Sequence, residues 1–334
     1  MKNKFDVVII GAGPAGLKCA QQLKNTELSV LLIEKNKIIG PKVCAGGLTG
    51  LSAGFDLPES KMRSFNELMF YIDRERYKVK LIFPLKTIDR YDLGQHLLSK
   101  IKQAENITIL KETIATQIKK DKIITNKGEF YYNYLVGADG SNSLVRRFLG
   151  LKSDVSIGLC CKVPQVTKDL IFYFNPKLLK WGYVWVFPHK HYTNIGVYFD
   201  PKHLSSKKAK EVLEDFLKKN RFVYSEKNFE AAILNFLYNG CVFKNTFLIG
   251  DAAGLVSKIT GEGISPAMIS GKEIGKKILK PNYRMQELAR VLRVKERQER
   301  FEKIADMTPL SSRYFLKIFV NLIKTKWFQS YFSG

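Results

Sequence analysis

The pattern of hydrophobic positions over residues 6–34 predicts a strand, a helix and a second strand. Residues 6–10 form a nearly continuous apolar run, which is typical of a parallel strand buried on both faces. A turn with Gly-x-Gly-x-x-Gly spacing follows at residues 11–16 and leads into a helical stretch. A second apolar run, residues 30–33, ends in Glu34. This order of strand, glycines, helix, strand and acid predicts a βαβ unit that binds a dinucleotide.

Each part of this motif has a physical role in holding a dinucleotide. Gly11 permits the tight turn, Gly13 lets a pyrophosphate approach the backbone, and Gly16 lets helix and strand pack closely. The N-terminus of the helix offers N–H groups and a positive dipole end to the phosphates. Glu34 accepts hydrogen bonds from a ribose diol. The motif alone leaves open whether the ligand is NAD or FAD, or whether the turn binds no ligand.

The remaining pattern predicts a discontinuous α/β domain with a β-rich insertion. Residues 107–110 indicate a third parallel strand, residues 113–132 a small meander, and residues 155–199 a strand-rich region. Helices are indicated over 93–104, 206–220, 261–279, 283–304 and 311–332, with Pro309 breaking the last two.

We therefore predict an α/β fold in which a Rossmann-like FAD-binding domain, with a parallel sheet and a small meander, carries an inserted antiparallel β-rich substrate domain and C-terminal helices. The predicted bounds are 1–57, 86–150 and 241–282 for the FAD-binding domain, 58–85 and 151–240 for the substrate domain, and 283–334 for the helical segment.

Two later motifs favour FAD over NAD. Asp139-Gly140 follows a predicted strand end, where the carboxylate can anchor the first phosphate-binding loop. Asp251 ends another buried strand and can accept a hydrogen bond from a sugar-alcohol hydroxyl. Ten residues later, the segment Gly261-Glu262-Gly263-Ile264 starts a helix whose N-terminus favours negative charge at the pyrimidine end of a flavin. Each of these two motifs alone is also typical of a turn with a capping aspartate, but both together with the βαβ motif predict FAD.

Composition adds a strongly basic surface and little else. The net charge of +24 indicates an acidic partner, such as an anionic membrane or an acidic protein, or else lysines that only solvate the surface. No nucleic-acid-binding motif is present, so we expect no specific nucleic acid.

The five cysteines are odd in number and lack Cys-x-x-Cys spacing, which predicts no zinc or other metal site and suits a reducing cytoplasm. We expect no targeting segment and no spanning helix.

Aromatic residues at alternate positions mark the strand over residues 183–188. Tyr183, Trp185 and Phe187, together with Trp181 before them, project to one face of a strand. The face is either the wall of a channel for a long apolar substrate or part of the core. The histidines that follow, His189 among them, bind a phosphate head group in one interpretation and form a surface turn in the other.

These residues resemble the flavoproteins of p-hydroxybenzoate hydroxylase type and, within them, the geranylgeranyl reductase family of FAD-dependent oxidoreductases. Residues 42–47, Lys-Val-Cys-Ala-Gly-Gly, resemble that family's Lys-x-Cys-Gly-Gly loop, with Ala45 in place of a usual glycine. Residues 183–188 resemble its Tyr-x-Trp-x-Phe-Pro signature, although Lys180 stands where a proline usually opens it. Arg90 lies where such proteins place a flavin-contacting arginine.

The motifs and the resemblance together predict the site residues. Cys44, in a loop that should contact the flavin, is the candidate catalytic residue, or else a small packing residue. Tyr183, Trp185 and Phe187 are the expected substrate-binding residues. The expected FAD-binding residues are Gly11, Gly13, Pro14, Ala15, Gly16, Glu34, Lys35, Cys44, Ala45, Gly47, Arg90, Ile114, Asp139, Gly140, Asp251, Gly263 and Ile264.

The resemblance implies an FAD-dependent reductase that saturates carbon–carbon double bonds of a polyprenyl, geranylgeranyl-type lipid or prenyl diphosphate. NAD(P)H, docking transiently, or an acidic ferredoxin-type carrier would supply the electrons. The alternative within the fold is an FAD-dependent monooxygenase of a small aromatic or apolar substrate. A different class is a basic peripheral binding protein that keeps the flavin as a relic.

The last predicted helix carries bases and an apolar face. In one interpretation the bases bind an anionic membrane, and the protein is cytoplasmic and peripherally associated with that membrane. In the alternative, the helix docks on the protein's own body. The apolar face consists of Phe315, Ile318, Phe319, Leu322 and Ile323, and the bases are Arg313, Lys317, Lys324 and Lys326.

Overall fold

The computed structural model describes residues 3–307 and 312–333. Its first half alternates strands and helices and begins with the predicted βαβ unit. The elements in chain order are β1 (Lys4–Ile10), α1 (Pro14–Leu23), β2 (Val30–Ile33), β3 (Gly47–Leu48), β4 (Met62–Ile72), β5 (Glu75–Ile88), α2 (Arg90–Ser99), β6 (Ile107–Leu110), β7 (Ala115–Ile118), β8 (Lys122–Thr125), β9 (Gly128–Gly137) and α3 (Leu144–Phe148).

The second half contains a strand-rich stretch and then helices. Its elements are β10 (Val155–Val163), β11 (Ile171–Phe174), α4 (Pro176–Leu179), β12 (Tyr183–Pro188), β13 (Thr193–Phe199), α5 (Ser206–Lys219), β14 (Glu230–Asn235), β15 (Val242–Phe243), β16 (Thr246–Leu248), α6 (Ile264–Leu279), α7 (Gln286–Met307), α8 (Ser312–Ile323) and α9 (Lys326–Ser333). The predicted break at Pro309 lies outside the described residues.

The first sheet has the order β15-β16-β9-β1-β2-β6, and its central pairs are parallel. The meander of β7, β8 and β9 extends it on one side, as the sequence predicted. All four residues of β2 are buried, as expected of a strand inside a parallel sheet that is covered on both faces. The α/β fold with a parallel dinucleotide-binding sheet is therefore confirmed.

The second sheet has the order β14-β10-β13-β12-β11-β4-β5-β3. It is antiparallel except for one parallel pair between β11 and β4, so the expectation of an antiparallel domain holds for all but that pair. One face of this sheet packs against α5, and the other carries a cluster of aromatic side chains. β3 and the end of β5 belong to it although they fall inside the predicted FAD-binding segments, and the domain bounds stay a prediction.

Helices α1 and α6 pack closely because small residues face the contact. A Cβ atom on Gly271 would clash with the Ala15 carbonyl, and one on Gly275 would lie 2.5 Å from Gln22 Cβ. This contact brings the N-termini of both helices to the carboxyl ends of the parallel strands. Ligands bind at that edge in open α/β sheets.

The C-terminal region differs from the sequence prediction. The single helix expected over 311–332 is two helices, α8 and α9. The Thr325 hydroxyl accepts a hydrogen bond from the Phe328 N–H and so caps the start of α9. Within the described ranges, no helix is long and apolar enough to cross a bilayer.

Candidate active site

A cavity of about 840 Å³ is lined by residues of both sheets. It contains the predicted substrate-binding residues and the predicted FAD-binding residues, with the exception of Gly16. A Cβ atom on Gly16 would clash with the Gly11 carbonyl, so this glycine is needed for packing between α1 and the turn. Residues spread over more than 250 positions of the sequence thus meet at one cavity.

The dinucleotide end of the cavity is built largely from backbone. Gly11 has φ +103°, a left-handed conformation that favours glycine. A Cβ atom on Gly13 would have no described atom within 4 Å, so the space beside it is open. The Glu34 carboxylate accepts hydrogen bonds from the N–H groups of Ala12 (2.9 Å) and Asn36 (3.0 Å). These bonds fix Glu34 at the edge of the cradle, where a ribose diol would contact it.

Two helices begin at the cavity without a side-chain cap among the described residues. Within the described residues no side chain caps α1 or α6, which begin after Gly13 and Gly263. By contrast, Asp89, Ser143 and Ser205 cap α2, α3 and α5. Helices α1 and α6 therefore keep donors that suit a pyrophosphate and a flavin carbonyl.

Asp139 and Arg146 shape the loops around the pyrophosphate position. One oxygen of Asp139 accepts hydrogen bonds from the N–H groups of Leu144 (2.6 Å) and Val145 (3.3 Å), and burial raises the pKa of this carboxyl. Buried Arg146 donates to the carbonyl oxygen of Ala252 at 3.0 Å and so holds the loop that carries Asp251. Asp139 thus fixes the start of α3, and its predicted anchoring of the first phosphate-binding loop and its direct contact with a cofactor stay predictions.

Asp251 lies beside the uncapped N-terminus of α6. Its carboxylate forms an ion pair with Lys42 at 2.9 Å and accepts a hydrogen bond from the Ser141 hydroxyl at 3.3 Å. The other carboxylate oxygen lies near Gly263, where an added Cβ would be 3.3 Å away. Asp251 therefore retains acceptor capacity toward the cavity, and Lys42 adds a positive charge there.

Arg90 carries a buried donor that the protein does not use. Its side chain is buried and lines the cavity, and its Nε has no hydrogen-bond partner among the described residues. A buried guanidinium N–H without a partner is costly, which favours a bound acceptor. Ile114 differs, because both of its backbone groups bond to Asn126, so only its side chain is left to contact a cofactor.

These observations fit FAD. An orphaned arginine donor, two uncapped helix N-termini and the open space at Gly13 lie along one cavity. Glu34 would hold the ribose, the Gly11–Gly13 turn the pyrophosphate, and Asp251 the sugar-alcohol chain. The flavin ring would then lie between the loop at residues 44–47 and the N-terminus of α6.

The loop at residues 44–47 separates the cradle from the aromatic end. The Cys44 side chain is half-buried and lines the cavity, and its sulfur accepts a hydrogen bond from the Gly46 N–H at 3.4 Å. A Cβ atom on Gly47 would lie 2.8 Å from the Phe187 ring, which explains why a glycine is required here. Cys44 is therefore close to both the predicted flavin position and the aromatic strand.

The aromatic end is formed by β12 and its neighbours. Tyr183, Trp185 and Phe187 are buried yet line the cavity, so they belong to the core and to the cavity wall at once. Phe172 packs edge-on against Tyr183 (5.2 Å) and Phe187 (5.3 Å). The Tyr183 hydroxyl donates to the Thr260 carbonyl at 2.6 Å, which leaves the ring faces for apolar contact.

Helices α7, α8 and α9 close this end of the cavity. Phe301, Leu316 and Phe319 line it, and Phe319 and Phe328 belong to the same cluster as the aromatic strand. Part of the apolar face predicted for a membrane, with Phe315 and Phe319, is thus docked on the protein's own body. The C-terminal helices also contribute to the site, which the sequence did not indicate.

His189 is the clearest difference from the sequence analysis. It is not on a surface turn but is buried below residues 44–46, with its Nε2 3.0 Å from the Ala45 carbonyl oxygen. Burial lowers its pKa to about 4. Sequence reasoning also missed Glu262, whose carboxylate accepts a hydrogen bond from the Thr49 hydroxyl at 2.6 Å. Its position between the two glycines before α6 was the available signal.

Two known protein families match parts of this chain. Residues 5–161 match the pyridine nucleotide-disulphide oxidoreductase family, and residues 159–238 match the geranylgeranyl reductase catalytic domain. A digeranylgeranylglycerophospholipid reductase of Methanosarcina acetivorans is 30% identical over 317 residues, which cover 82% of this chain and 75% of that protein. The chain belongs to the geranylgeranyl reductase family. The matched catalytic domain contains the aromatic strand.

Other proteins are similar to this chain in sequence or in fold. An uncharacterized protein of Methanosarcina barkeri is 32% identical over 292 residues, or 80% of this chain and 73% of that one. Among solved structures, a geranylgeranyl bacteriochlorophyll reductase-like protein of Thermoplasma acidophilum has a TM-score of 0.78 at 21% identity and covers 97% of this chain and 92% of its own. A probable FAD-dependent monooxygenase of Pseudomonas aeruginosa has a TM-score of 0.68 at 20% identity, with 99% of both chains covered. Both structures share the fold.

Membership of the geranylgeranyl reductase family makes this protein a flavin-dependent oxidoreductase, and the family implies a flavin cofactor. This confirms the expected enzyme class. The contacts of Glu34, Arg90 and Asp251 with that cofactor remain predictions.

Proposed function

We propose that this protein reduces carbon–carbon double bonds in the polyprenyl chain of a lipid or a prenyl diphosphate. The observation that carries the proposal is the continuity of one cavity, from the cradle at Gly13 and Glu34 to the aromatic wall at Trp185. A relative at 30% identity is named a digeranylgeranylglycerophospholipid reductase, which supports a prenyl lipid as the substrate.

The side chains of this protein bind and orient the substrate. The bound flavin supplies hydride transfer to the alkene. Rings of Tyr183, Trp185 and Phe187 remove apolar surface from water, at about 25 cal/mol per Å². They also exclude water from the reacting carbon. Cys44, between the wall and the flavin position, is the proposed proton donor to the second alkene carbon.

The electrons would come from NAD(P)H, which docks transiently, or from an acidic ferredoxin-type carrier. The net charge of +24 supports an acidic carrier, because complementary charge accelerates encounter between proteins. Stopped-flow reduction of the bound flavin by each donor separates them. Steep loss of the reduction rate with added salt is expected for the carrier, whereas a salt-independent rate would contradict that interpretation.

We also propose that an anionic bilayer covers the mouth of the cavity. Phe83 lines the cavity and is 55% exposed, which marks an opening to solvent. The side of α8 away from the core exposes Tyr314, Ile318 and Leu322, and Trp327 on α9 is 71% exposed. The Gln329 side chain accepts from the Ile82 N–H at 2.9 Å, so α9 lies against the strand that carries Phe83.

Charge favours the same partner. Lys324 lies in the link between α8 and α9, and Lys326 is the first residue of α9. Both lysines are exposed beside the apolar residues. Exposed aromatic and apolar side chains next to lysines suit the interface of an anionic bilayer. A lipid would then enter the cavity from the membrane without crossing water.

Flotation with phosphatidylglycerol–phosphatidylcholine vesicles tests the bilayer. Trp327→Asp should abolish flotation, while Val223→Asp, at an equally exposed apolar residue outside this surface, should not. Equal behaviour of the two variants, or flotation with neutral vesicles alone, would contradict the proposal.

Anaerobic turnover tests the reaction itself. Chemically reduced, FAD-loaded protein should be reoxidised by a geranylgeranyl lipid, and mass spectrometry should show two hydrogens gained per reduced bond. Oxygen uptake coupled to hydroxylation would identify a monooxygenase instead. A protein that takes up no FAD would contradict the cofactor, and one reoxidised by no prenyl substrate would contradict the reductase.

A further inference from the structure

Two buried side chains of one hairpin contact the loop that carries Cys44. Asn194, 1% exposed, donates from Nδ2 to the Cys44 carbonyl oxygen at 3.2 Å. His189, 3% exposed, lies with Nε2 3.0 Å from the Ala45 carbonyl oxygen and donates to it in the tautomer protonated at Nε2. Both residues flank the turn between β12 and β13. Two successive carbonyls of the loop are thus held by the strands that form the substrate wall.

Asn194 also contacts that wall. Its Oδ1 accepts a hydrogen bond from Trp185 Nε1 at 2.7 Å. One side-chain amide therefore bonds to the indole on one side and to the Cys44 carbonyl on the other. Because an amide is planar and rigid, a change in the indole position is transmitted to the loop.

His189 is held from its other face. Its ring stacks on Tyr192, with centroids 4.5 Å apart and an angle of 10° between the planes. The Tyr192 hydroxyl donates to Asp89 at 2.5 Å, and Asp89 also pairs with Lys162 at 2.8 Å and caps α2. The first residue of α2 is the buried Arg90. The hairpin is therefore connected to the loop and, through Asp89, to the helix that carries Arg90.

We propose that Asn194 and His189 are positioning residues that hold residues 44–46, and with them the Cys44 thiol, at the flavin end of the cavity, in register with Trp185. Neither side chain lines the cavity that holds the FAD cradle and the aromatic wall. The role of this loop beside the flavin rests on the proposed function. The contacts themselves do not depend on which substrate is reduced.

The Cys44 thiol offers a direct measure of loop position. Cys19, Cys160, Cys161 and Cys241 are buried, whereas Cys44 is half-buried, so alkylation of the native, FAD-loaded protein reports on Cys44. The rate of alkylation by N-ethylmaleimide, with the site confirmed by peptide mapping, requires no turnover. Failure of the proposed reductase activity would leave this measurement interpretable.

The variants separate positioning from general stability. Asn194→Leu and His189→Ala should each raise the rate of Cys44 alkylation by about tenfold, the effect of losing one buried hydrogen bond. His189→Gln, whose amide can donate to Ala45, should restore the wild-type rate. Trp185→Phe, which removes only the bond on the indole side, should raise the rate by about threefold.

Thr193→Val is the matched control. Thr193 is fully buried in the same hairpin, but its hydroxyl donates to the Gln165 carbonyl at 2.7 Å, away from the Cys44 loop. The wild-type alkylation rate in Thr193→Val supports the proposal. An increase equal to that of Asn194→Leu, an unchanged rate in Asn194→Leu, or failure of His189→Gln to restore the rate would overturn it. An unchanged alkylation rate in Trp185→Phe would show that the position of the Cys44 loop does not depend on the Trp185 indole.

Discussion

The Glu34 end of the cavity is lined largely by backbone and glycines, with a few charged side chains, whereas the Trp185 end is lined by aromatic rings. The first end comes from short segments that fold locally, each a strand followed by a turn and a helix. The second end joins β4, β11, β12 and the C-terminal helices, whose residues are far apart in the chain.

The two ends therefore respond differently to substitution. The turn of the cradle tolerates little change at Gly11 and Gly16, because an added Cβ there meets main-chain atoms that cannot move. A wall of packed rings loses contacts and shape when a ring is removed, but its strands stay paired. The difference separates binding of the cofactor from selection of the substrate, and four experiments test that separation.

Gly11→Ala should have the largest effect. The added Cβ would clash with the Ala138 carbonyl at a residue with φ +103°, so we expect FAD affinity to fall by about a hundredfold or more. FAD titration followed by fluorescence measures this. Gly54→Ala, where the Cβ has no described atom within 4 Å, is the control and should bind FAD normally. Normal affinity in Gly11→Ala would show that the turn does not form the cradle.

Trp185→Ala should separate substrate turnover from FAD binding most clearly. Loss of the indole removes the wall and a bond to Asn194, so we expect prenyl turnover to fall by about a hundredfold while FAD remains bound. Unfolding should become easier by about 3 kcal/mol. Turnover assays and the flavin spectrum of the same sample check both points. Loss of FAD in parallel with turnover would mean that the aromatic strand serves only as core.

The pH dependence of stability should report on His189. Its folded pKa of about 4 is below the ordinary 6.5, so the unfolded chain binds more protons between these values. Its contribution is present above pH 6.5 and is lost as the pH falls to about 4, which amounts to about 2–3 kcal/mol. Asp89, with a pKa of about 2, stays ionised in that window.

Urea denaturation at pH 7 and pH 4.5 measures this loss. His189→Gln has no titrating group at this position and should show a smaller difference in unfolding free energy between the two pH values. An identical difference in wild type and variant would mean that His189 is not the group responsible.

Gln329→Ala should have the smallest effect. Its side chain donates to the Lys80 carbonyl at 2.8 Å and accepts from the Ile82 N–H at 2.9 Å, so α9 should loosen at a cost of about 1–2 kcal/mol. Limited proteolysis should cut the C-terminal helices faster, with FAD binding unchanged. Lys326→Ala, on the exposed side of α9, should be cut at the wild-type rate. Equal rates in both variants would indicate that Gln329 does not hold α9.

The sequence predicted the cradle because its determinants are local. Gly11, Gly13 and Glu34 are fixed by the spacing of one βαβ unit, and Asp139 and Asp251 each follow a strand that is recognisable from its apolar run. The period-two pattern at Tyr183, Trp185 and Phe187 likewise predicted a shared face. The resemblance of residues 42–47 added the loop that bears Cys44.

Tertiary structure alone decided what closes the aromatic end and what holds the Cys44 loop. The burial of Phe319, and the contacts of Gln329 that hold α9 against β5, depend on strands more than 100 residues away in the sequence. His189 and Asn194 meet Ala45 and Cys44 across more than 140 residues, and no local pattern marks such a pair. Spacing along a chain encodes strands, helices and turns, because these form between neighbours. The partners of a buried side chain are set by how those elements pack.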